Sequence, residues 1–423
     1  MTDYMPRLAD NILESKLKGR GAILIQGPKW CGKTTTAEQF ANSVIYMDEP
    51  HRMEQNIQLA DINPSMLLQG MEPRLIDEWQ ITPKIWDAIR FEVDHRKSKG
   101  NFILTGSSVP ADISENSHSG TGRFAWITMR NMTLAESGDS TKEVSLKELF
   151  EGRDDITGSN EADIYRIAYL VCRGGWPDII ALDEQVALEA AYDYVDGVVN
   201  SDISRVDGVS RDIERARRIM RSYARNQGTQ ISFTKIADDI SANELSFTDE
   251  TVSSYVKALK KIFVIEDMQS WNPNLRSKAS IRATDTRYYS DSAIAAAALG
   301  IGPEDLLADL NTFGLLFETM CVRDLRTYAE LLGGNVYHYR DRSGLECDAV
   351  IHLRNGQYGL IEIKLGGNKL IEEGVENLLK LESQIDIEKM SAPSFKMILT
   401  GSEKYAYKRK DGVLIVPVTC LGA

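Results

Sequence analysis

Gly27-Pro28-Lys29-Trp30-Cys31-Gly32-Lys33-Thr34 decides how the first part of this chain folds. The run matches G-x-x-x-x-G-K-[ST] at every fixed position. An apolar run at 22–25 leads into it, and 34–42 reads as a helix after it. The motif therefore sits where it has meaning, between a strand and a helix. The glycines let the backbone curl so that its N–H groups face phosphate oxygens, and the helix N-terminus adds partial positive charge. Lys33 brings a compact cation to the β- and γ-phosphates. The Thr34 hydroxyl is a hard oxygen ligand for Mg2+. The expectation is a site for ATP with Mg2+. Cys31 lies inside the loop, where a helix N-terminus lowers a thiol pKa. Variable positions of such loops accept many residues, so a redox role is the weaker reading.

Further along, Leu75-Ile76-Asp77-Glu78 supplies the other half of such a site. Asp77 at a strand end would hold Mg2+, and Glu78 would orient and deprotonate the attacking water. Phe102-Ile103-Leu104-Thr105-Gly106-Ser107-Ser108 is a strand ending in hydroxyls. Ser107 is the expected polar contact to water or γ-phosphate, with Thr105 and Ser108 as alternatives. His118-Ser119-Gly120-Thr121-Gly122-Arg123 reads as a mobile glycine loop. Its Arg123 would stabilise transition-state charge in cis or across a subunit boundary, or would be a solvated surface arginine. A role in trans implies a homo-oligomer.

The whole chain has 423 residues, room for two to four domains. Hydrophobic residues make up 43% and charged residues 26%, the profile of a soluble globular protein. No apolar stretch reaches the length of a transmembrane helix. The N-terminal MTDYMPRLADNILESK carries no secretory pattern. Cysteines 31, 172, 321, 347 and 420 are scattered without a CxxC pair, which argues against a zinc site or a disulfide framework. The expected setting is cytoplasmic. A formal net charge of −13 argues against a broad DNA-coating surface. Seven arginines between 205 and 225 face Asp207, Asp212 and Glu214, which reads as a salt-bridged helix face.

Strand–helix alternation over 1–150 implies a mostly parallel sheet covered on both faces. The stretch 83–97 places Ile85, Trp86, Ile89 and Val93 at helical spacing. From 151 to 229 the pattern is helical, with 164–172 and 184–199 apolar at helical intervals. Gly174-Gly175-Trp176-Pro177 breaks it. Residues 230–284 read as a winged helix, with helices at 234–240 and 248–261 and a wing at 263–271. Asp238, Asp239, Glu244, Asp249 and Glu250 surround the second helix, which favours packing over DNA reading. Residues 285–423 return to mixed α and β. The expected fold class is α/β multidomain: a P-loop NTPase core with a parallel sheet, a helical and winged-helix middle, and a C-terminal α/β nuclease-like domain.

Taken together, GPKWCGKTT, RLIDEWQITPKIWDAIR, FILTGSSVP, HSGTGR, MRNMTLAESG and RGGWPD resemble a bacterial and archaeal family of AAA-type ATPases. Such proteins fuse a P-loop core to a C-terminal domain of unknown function. The resemblance continues through LFETMCVRDL and ECDAVIHLRNGQYGLIEIK. It implies nucleotide binding by residues 27–35, Thr35 included. It also implies handling of Mg2+ and water by Asp77 and Glu78, and a sensing role near Ser107.

In the C-terminal part, Asp348 is followed by Glu362-Ile363-Lys364, with Glu318 on a preceding helix. The order resembles the PD-(D/E)XK nuclease superfamily, in which carboxylates bind Mg2+ and a lysine positions water or neutralises charge. No proline precedes Asp348; the residues are Glu346-Cys347-Asp348. Asn355-Gly356 signals a hairpin. A two-residue loop would pair Asp348 with Ile363 and turn it away from Glu362 and Lys364. A three-residue loop, Arg354-Asn355-Gly356, pairs Asp348 with Glu362. Three functions stay open: a Mg2+-dependent ATPase governing the C-terminal half, an ATP-gated nuclease, and an ATP-dependent switch that docks DNA or a protein.

Overall fold

The computed structural model describes residues 4–108, 120–241, 247–273, 284–387 and 390–423. The chain divides into two compact units. One takes residues 1–131, 201–210 and 258–263, and the other takes 132–200, 211–257 and 264–423. No helix among the described residues is long and apolar enough to cross a membrane. All five cysteines are buried, unpaired thiols.

The first unit runs α1 (Leu8–Gly19), β1 (Ala22–Gln26), α2 (Lys33–Glu38), β2 (Ser43–Tyr46), α3 (Met53–Ile62), β3 (Arg74–Asp77), α4 (Ile85–His95), β4 (Phe102–Gly106) and β5 (Phe124–Thr128). Its strands form one sheet in the order β2-β3-β4-β1-β5. Every neighbouring pair is parallel. Both faces are covered, so the strands are short continuous apolar runs rather than alternating ones. Leu24, Ile76, Phe102 and Leu104 pack on one face with Ile85, Trp86 and Ile89 of α4. Ile23, Ile25, Leu75 and Ile103 pack on the other with Leu13 of α1 and Ala37 of α2.

Because all five strands point the same way, their C-terminal ends share one edge of the sheet, where crevices form in such sheets. The register sets Gln26 beside Gly106 and Ile76 beside Leu104. Helix α2 closes at Glu38 instead of reaching residue 42. Three consecutive β-branched residues, Thr34 to Thr36, make its first turn a weak helix former.

The second unit begins with β6 (Val144–Ser145) and β7 (Gly158–Ser159). The expected helices appear at Ile164–Arg173 and Glu184–Gly197, separated by Gly174, whose φ of 74° suits glycine. Helix Phe233–Ile240 follows, then helix Asp249–Lys261, whose residues up to 257 belong to this unit. The expected wing at 263–271 is not a strand. It makes isolated bridges only, Ile265 to Tyr289, Met268 to Thr286 and Ser270 to His338. Glu244 lies outside the described residues. Of the seven arginines in the stretch, Arg218 meets Glu214 as anticipated, while Arg217 and Arg225 reach Asp196 and Asp239 outside it, and Arg211 and Arg215 lie over the rings of Tyr255 and Phe247.

The C-terminal strands are β8 (Gly334–Arg340), β9 (Glu346–Leu353), β10 (Tyr358–Lys364), β11 (Phe395–Thr400), β12 (Tyr405–Lys408), β13 (Leu414–Pro417) and β14 (Leu421–Gly422). Seven strands make a mixed sheet in the order β7-β12-β13-β11-β10-β9-β8, and β14 pairs with β6. Helix Asn368–Gln384 lays Ile371, Val375, Leu378 and Leu381 against Val350, Leu360, Ile398 and Ile415. The molecule is therefore α/β and multidomain: a P-loop core on a parallel sheet, a helical middle and a C-terminal α/β sheet.

Candidate functional site

Two loops and the end of β4 meet at the C-terminal edge of the parallel sheet. The first follows β1. Gly27 at φ 157° comes so close to the main chain of Met129 that a Cβ would lie 2.0 Å from its carbonyl oxygen. Gly32 takes φ 93°, and Trp30 is held at φ 65°, a region non-glycine residues seldom occupy. Lys33 is buried, and its Nζ donates to the Pro28 carbonyl of the same loop at 2.7 Å. Cys31 is fully buried, and its Sγ donates to the Met129 carbonyl. That leaves no exposed thiol for a redox role. Lys29 points elsewhere and pairs with Asp202 at 2.7 Å.

The second loop follows β3. Thr34 Oγ1 and Thr105 Oγ1 both donate to Asp77 Oδ1, the first at 2.7 Å. Glu78 has φ 52° and ψ 46°, left-handed backbone for a non-glycine residue. Its Oε2 accepts from Ser107 Oγ at 3.0 Å and from Gln80 Nε2. Its own N–H donates to Thr105 Oγ1 at 3.3 Å, which ties β3 to the β4 end. Burial pushes the Asp77 carboxyl above its ordinary range, against the pull of the Thr105 and Thr34 hydroxyls. Burial does the same to Glu78, and the nearby Lys33 charge offsets part of the rise. Sequence reading missed Gln80; its signal is a polar side chain two residues past the general-base position.

Arg123 is the expected site residue placed elsewhere. It precedes β5, and its carbonyl accepts from the N–H of Ala22, the first residue of β1. That is the opposite edge of the sheet, about 16 Å from the loops for a five-residue strand. Its guanidinium binds Asp94 at 2.8 and 3.2 Å on an exposed surface. His118 and Ser119 of the same loop lie outside the described residues.

In the C-terminal sheet the hairpin has three loop residues. Leu353 N donates to Gln357 O at 2.8 Å, and Gly356 takes φ 90°. The register runs Tyr358 to His352 through Ile361 to Ala349, which continues to Glu362 opposite Asp348. A bulge against β8 helps aim this end of β9: between the pairs Tyr337–Val350 and Tyr339–Cys347, His338 faces both Asp348 and Ala349. Lys364 Nζ lies 2.9 Å from Asp348 Oδ2 and 2.6 Å from Glu362 Oε2. The cation between the two carboxylates is thus the lysine ammonium. Glu362 is 1% exposed, and its Oε1 has no protein partner among the described residues. Burial, then Asp348, pushes its carboxyl well up, while Lys364 pulls it down. The paired carboxylates hold the Lys364 ammonium in its charged form.

Glu318, the third expected carboxylate, accepts from the Tyr288 hydroxyl instead. Burial, with Asp348 next, pushes it up to about 8. Both lie along a small cleft with Gly228, His338 and Asp348. His338 Nε2, buried and without a partner among the described residues, was not anticipated. Among the described residues, no three acidic, histidine or cysteine side chains are placed to hold a metal ion together.

Residues 19–137 match a family model described as an AAA domain. Residues 165–305 and 313–421 each match a domain of unknown function, DUF8612 and DUF4143. Two curated relatives, the uncharacterized proteins Mb2031c of Mycobacterium bovis and Rv2008c of Mycobacterium tuberculosis, are each 24% identical over 362 residues. The match covers 84% of this chain and 73% of each relative. Among solved structures, the Walker-type ATPase PABY2304 of Pyrococcus abyssi is 14% identical with a TM-score of 0.43. That match covers 70% of this chain and 96% of the other. By the family model, residues 19–137 of this chain are similar to AAA domains, and the P-loop motif lies within that match.

Proposed function

We propose that this AAA-type domain binds ATP with Mg2+ at the edge formed by residues 27–35, Asp77, Glu78 and Ser107, and hydrolyses it to ADP and phosphate. One observation carries the reading: Glu78 is half-buried within electrostatic reach of Lys33 and held by Ser107 and Gln80. The residues fit the metal. The Thr34 hydroxyl and Asp77 carboxylate, 2.7 Å apart, are the hard oxygen donors Mg2+ prefers. Mg2+ there would neutralise phosphate charge as the bond to the leaving oxygen breaks.

Lys33 leaves the Pro28 carbonyl for the β- and γ-phosphates. Glu78 accepts the proton of the attacking water. Both hydrogen bonds that its carboxylate accepts among the described residues go to Oε2, which leaves Oε1 for that proton. Ser107 and Gln80 fix the carboxylate, and Thr105 fixes Asp77. Phosphate release should be measured for the native protein, Lys33→Ala and Glu78→Gln. Hydrolysis that survives both changes refutes the assignment.

The nucleotide state is proposed to govern the C-terminal domain, which resembles a PD-(D/E)XK nuclease. Lys364 between the two carboxylates favours a second reading, an ATP-dependent module that docks DNA or a protein without cutting. Incubation with linear and supercoiled DNA, Mg2+ and ATP separates them. Cleavage lost in Asp348→Ala returns the nuclease reading. Intact DNA, retained with nucleotide-dependent affinity, supports the docking module.

A further inference from the structure

Arg7 has no place in the phosphate-loop motif, yet its side chain is 5% exposed and reaches the back of that loop. Nη1 donates to the Cys31 carbonyl at 2.6 Å, and Nη2 donates to the Arg130 carbonyl at 2.8 Å. A planar guanidinium can satisfy two carbonyls at fixed separation, which a lysine ammonium cannot do with the same rigidity. Arg7 is itself anchored. Its N–H donates to Asp10 Oδ2 at 2.8 Å, while the Asp10 N–H donates back to the Arg7 carbonyl at 3.0 Å. Tyr4 bonds both Asp10 Oδ1 at 2.6 Å and Thr36 Oγ1 of α2 at 3.0 Å. The start of α1 is thereby tied to both ends of the loop-and-helix unit.

The consequence lies in one peptide plane. The only cis peptide among the described residues is Glu72–Pro73, so the Cys31–Gly32 peptide is trans. In a trans peptide the C=O and the next N–H point in opposite directions. Pinning the Cys31 carbonyl toward Arg7 therefore turns the Gly32 N–H to the other side of the loop. Gly32 is the residue before α2, and its N–H donates to no acceptor among the described residues. The carbonyl of Arg130 holds the same fork, and the neighbouring Met129 carbonyl abuts Gly27 and Cys31. The other wall of the loop is fixed by the same clamp.

We infer that Arg7 is a positioning residue for phosphate binding: it clamps the Cys31–Gly32 peptide plane so that the Gly32 N–H stays aimed at a bound phosphate. The inference rests on the nucleotide-binding reading above. Without the fork, the peptide plane can rotate and offer its carbonyl to the phosphate, which repels it.

The test uses the full chain and MgATP as probe. Dissociation constants come from calorimetric titration of the native protein, Arg7→Ala, Arg7→Lys and Lys33→Ala, well below each unfolding midpoint. Arg7→Ala is expected to bind about 10-fold or more weakly, in line with loss of charge-assisted hydrogen bonds. Arg7→Lys should fall between it and the native protein. Added methylguanidinium should restore part of the affinity of Arg7→Ala, a response that a packing role would not give. If Arg7→Ala does not fold, Arg7→Lys carries the test alone. Folded Arg7 variants that bind MgATP within about twofold of the native protein overturn the inference. A native protein that binds no better than Lys33→Ala removes the nucleotide reading itself, and this inference with it.

Discussion

Lys364→Met asks what the ammonium between Asp348 and Glu362 does. In the native arrangement Lys364 Nζ is 2.6 Å from a carboxylate that is 1% exposed. Methionine keeps most of the side-chain volume and removes the charge. Glu362 then has two options. Remaining ionised and unpaired costs about 3–5 kcal/mol, the usual penalty for breaking a buried pair. Taking up a proton costs about 1.36 kcal/mol for each pH unit above the ordinary glutamate value of 4.5. That ceiling is about 0.7 kcal/mol at pH 5 and about 4.8 kcal/mol at pH 8. The sign is fixed by the direction of the shift. A carboxyl raised in the folded state binds more protons folded than unfolded, so stability falls as pH rises above the unfolded value. The variant, without the lysine to pull the carboxyl back, loses more over that window than the native protein. Urea unfolding of both proteins at pH 5 and pH 8 measures it. The expected loss is roughly 1 kcal/mol at pH 5 and about 3–5 kcal/mol at pH 8, and Glu362→Gln in the same chain should recover much of the latter. A loss equal at both pH values would mean that Lys364 does not neutralise Glu362, and the internal-cation description would fall.

Glu78→Gln should retain MgATP binding and lose about 100- to 10,000-fold in hydrolysis, measured by phosphate release. In the native protein, hydrolysis should rise with pH through a Glu78 pKa lying above the ordinary carboxylate range, because only the ionised form accepts the proton. An acid limb at an ordinary glutamate value would remove Glu78 from that role. Arg123→Ala should leave turnover unchanged in dilute solution, because the arginine sits at the far edge of the sheet on Asp94; a tenfold drop there would place it in the site in cis. Arg323→Met should destabilise the second unit by about 3–5 kcal/mol, since Asp291 and Asp324 are both buried against that guanidinium. A shift under 1 kcal/mol in denaturant unfolding would contradict that.

The phosphate loop was legible because its chemistry is local: eight consecutive residues hold the glycines, the lysine and the hydroxyl. Asp77 and Ser107 followed because each ends an apolar run, and parallel strands carry such ends to one edge. The hairpin was legible to one alternative of two, and Gly356 in its left-handed conformation decided for the three-residue loop. Arg123 was read from the glycines around it, but glycines do not say which edge of a sheet a loop occupies. The pairing of β5 with β1 does. Arg7 and His338 were invisible for a different reason. Arg7 is an arginine ahead of an ordinary helix, distinguished only by two carbonyls remote in sequence. His338 became notable only through a bulge that no residue pattern announced. The motifs RGGWPD and MRNMTLAESG also gain a structural meaning: Gly175 N donates to Asp291 and Leu134 N to Asp324, so both carboxylates that hold Arg323 also hold these segments.

The central claim is that a ring of backbone amides and the Lys33 ammonium bind a triphosphate. Calorimetric titration of the full chain with MgATP, beside Lys33→Ala, measures it directly. Saturable binding at one site per chain, weakened at least tenfold in the variant, is the predicted result. Equal affinity in the two proteins, or no binding in either, would contradict the account.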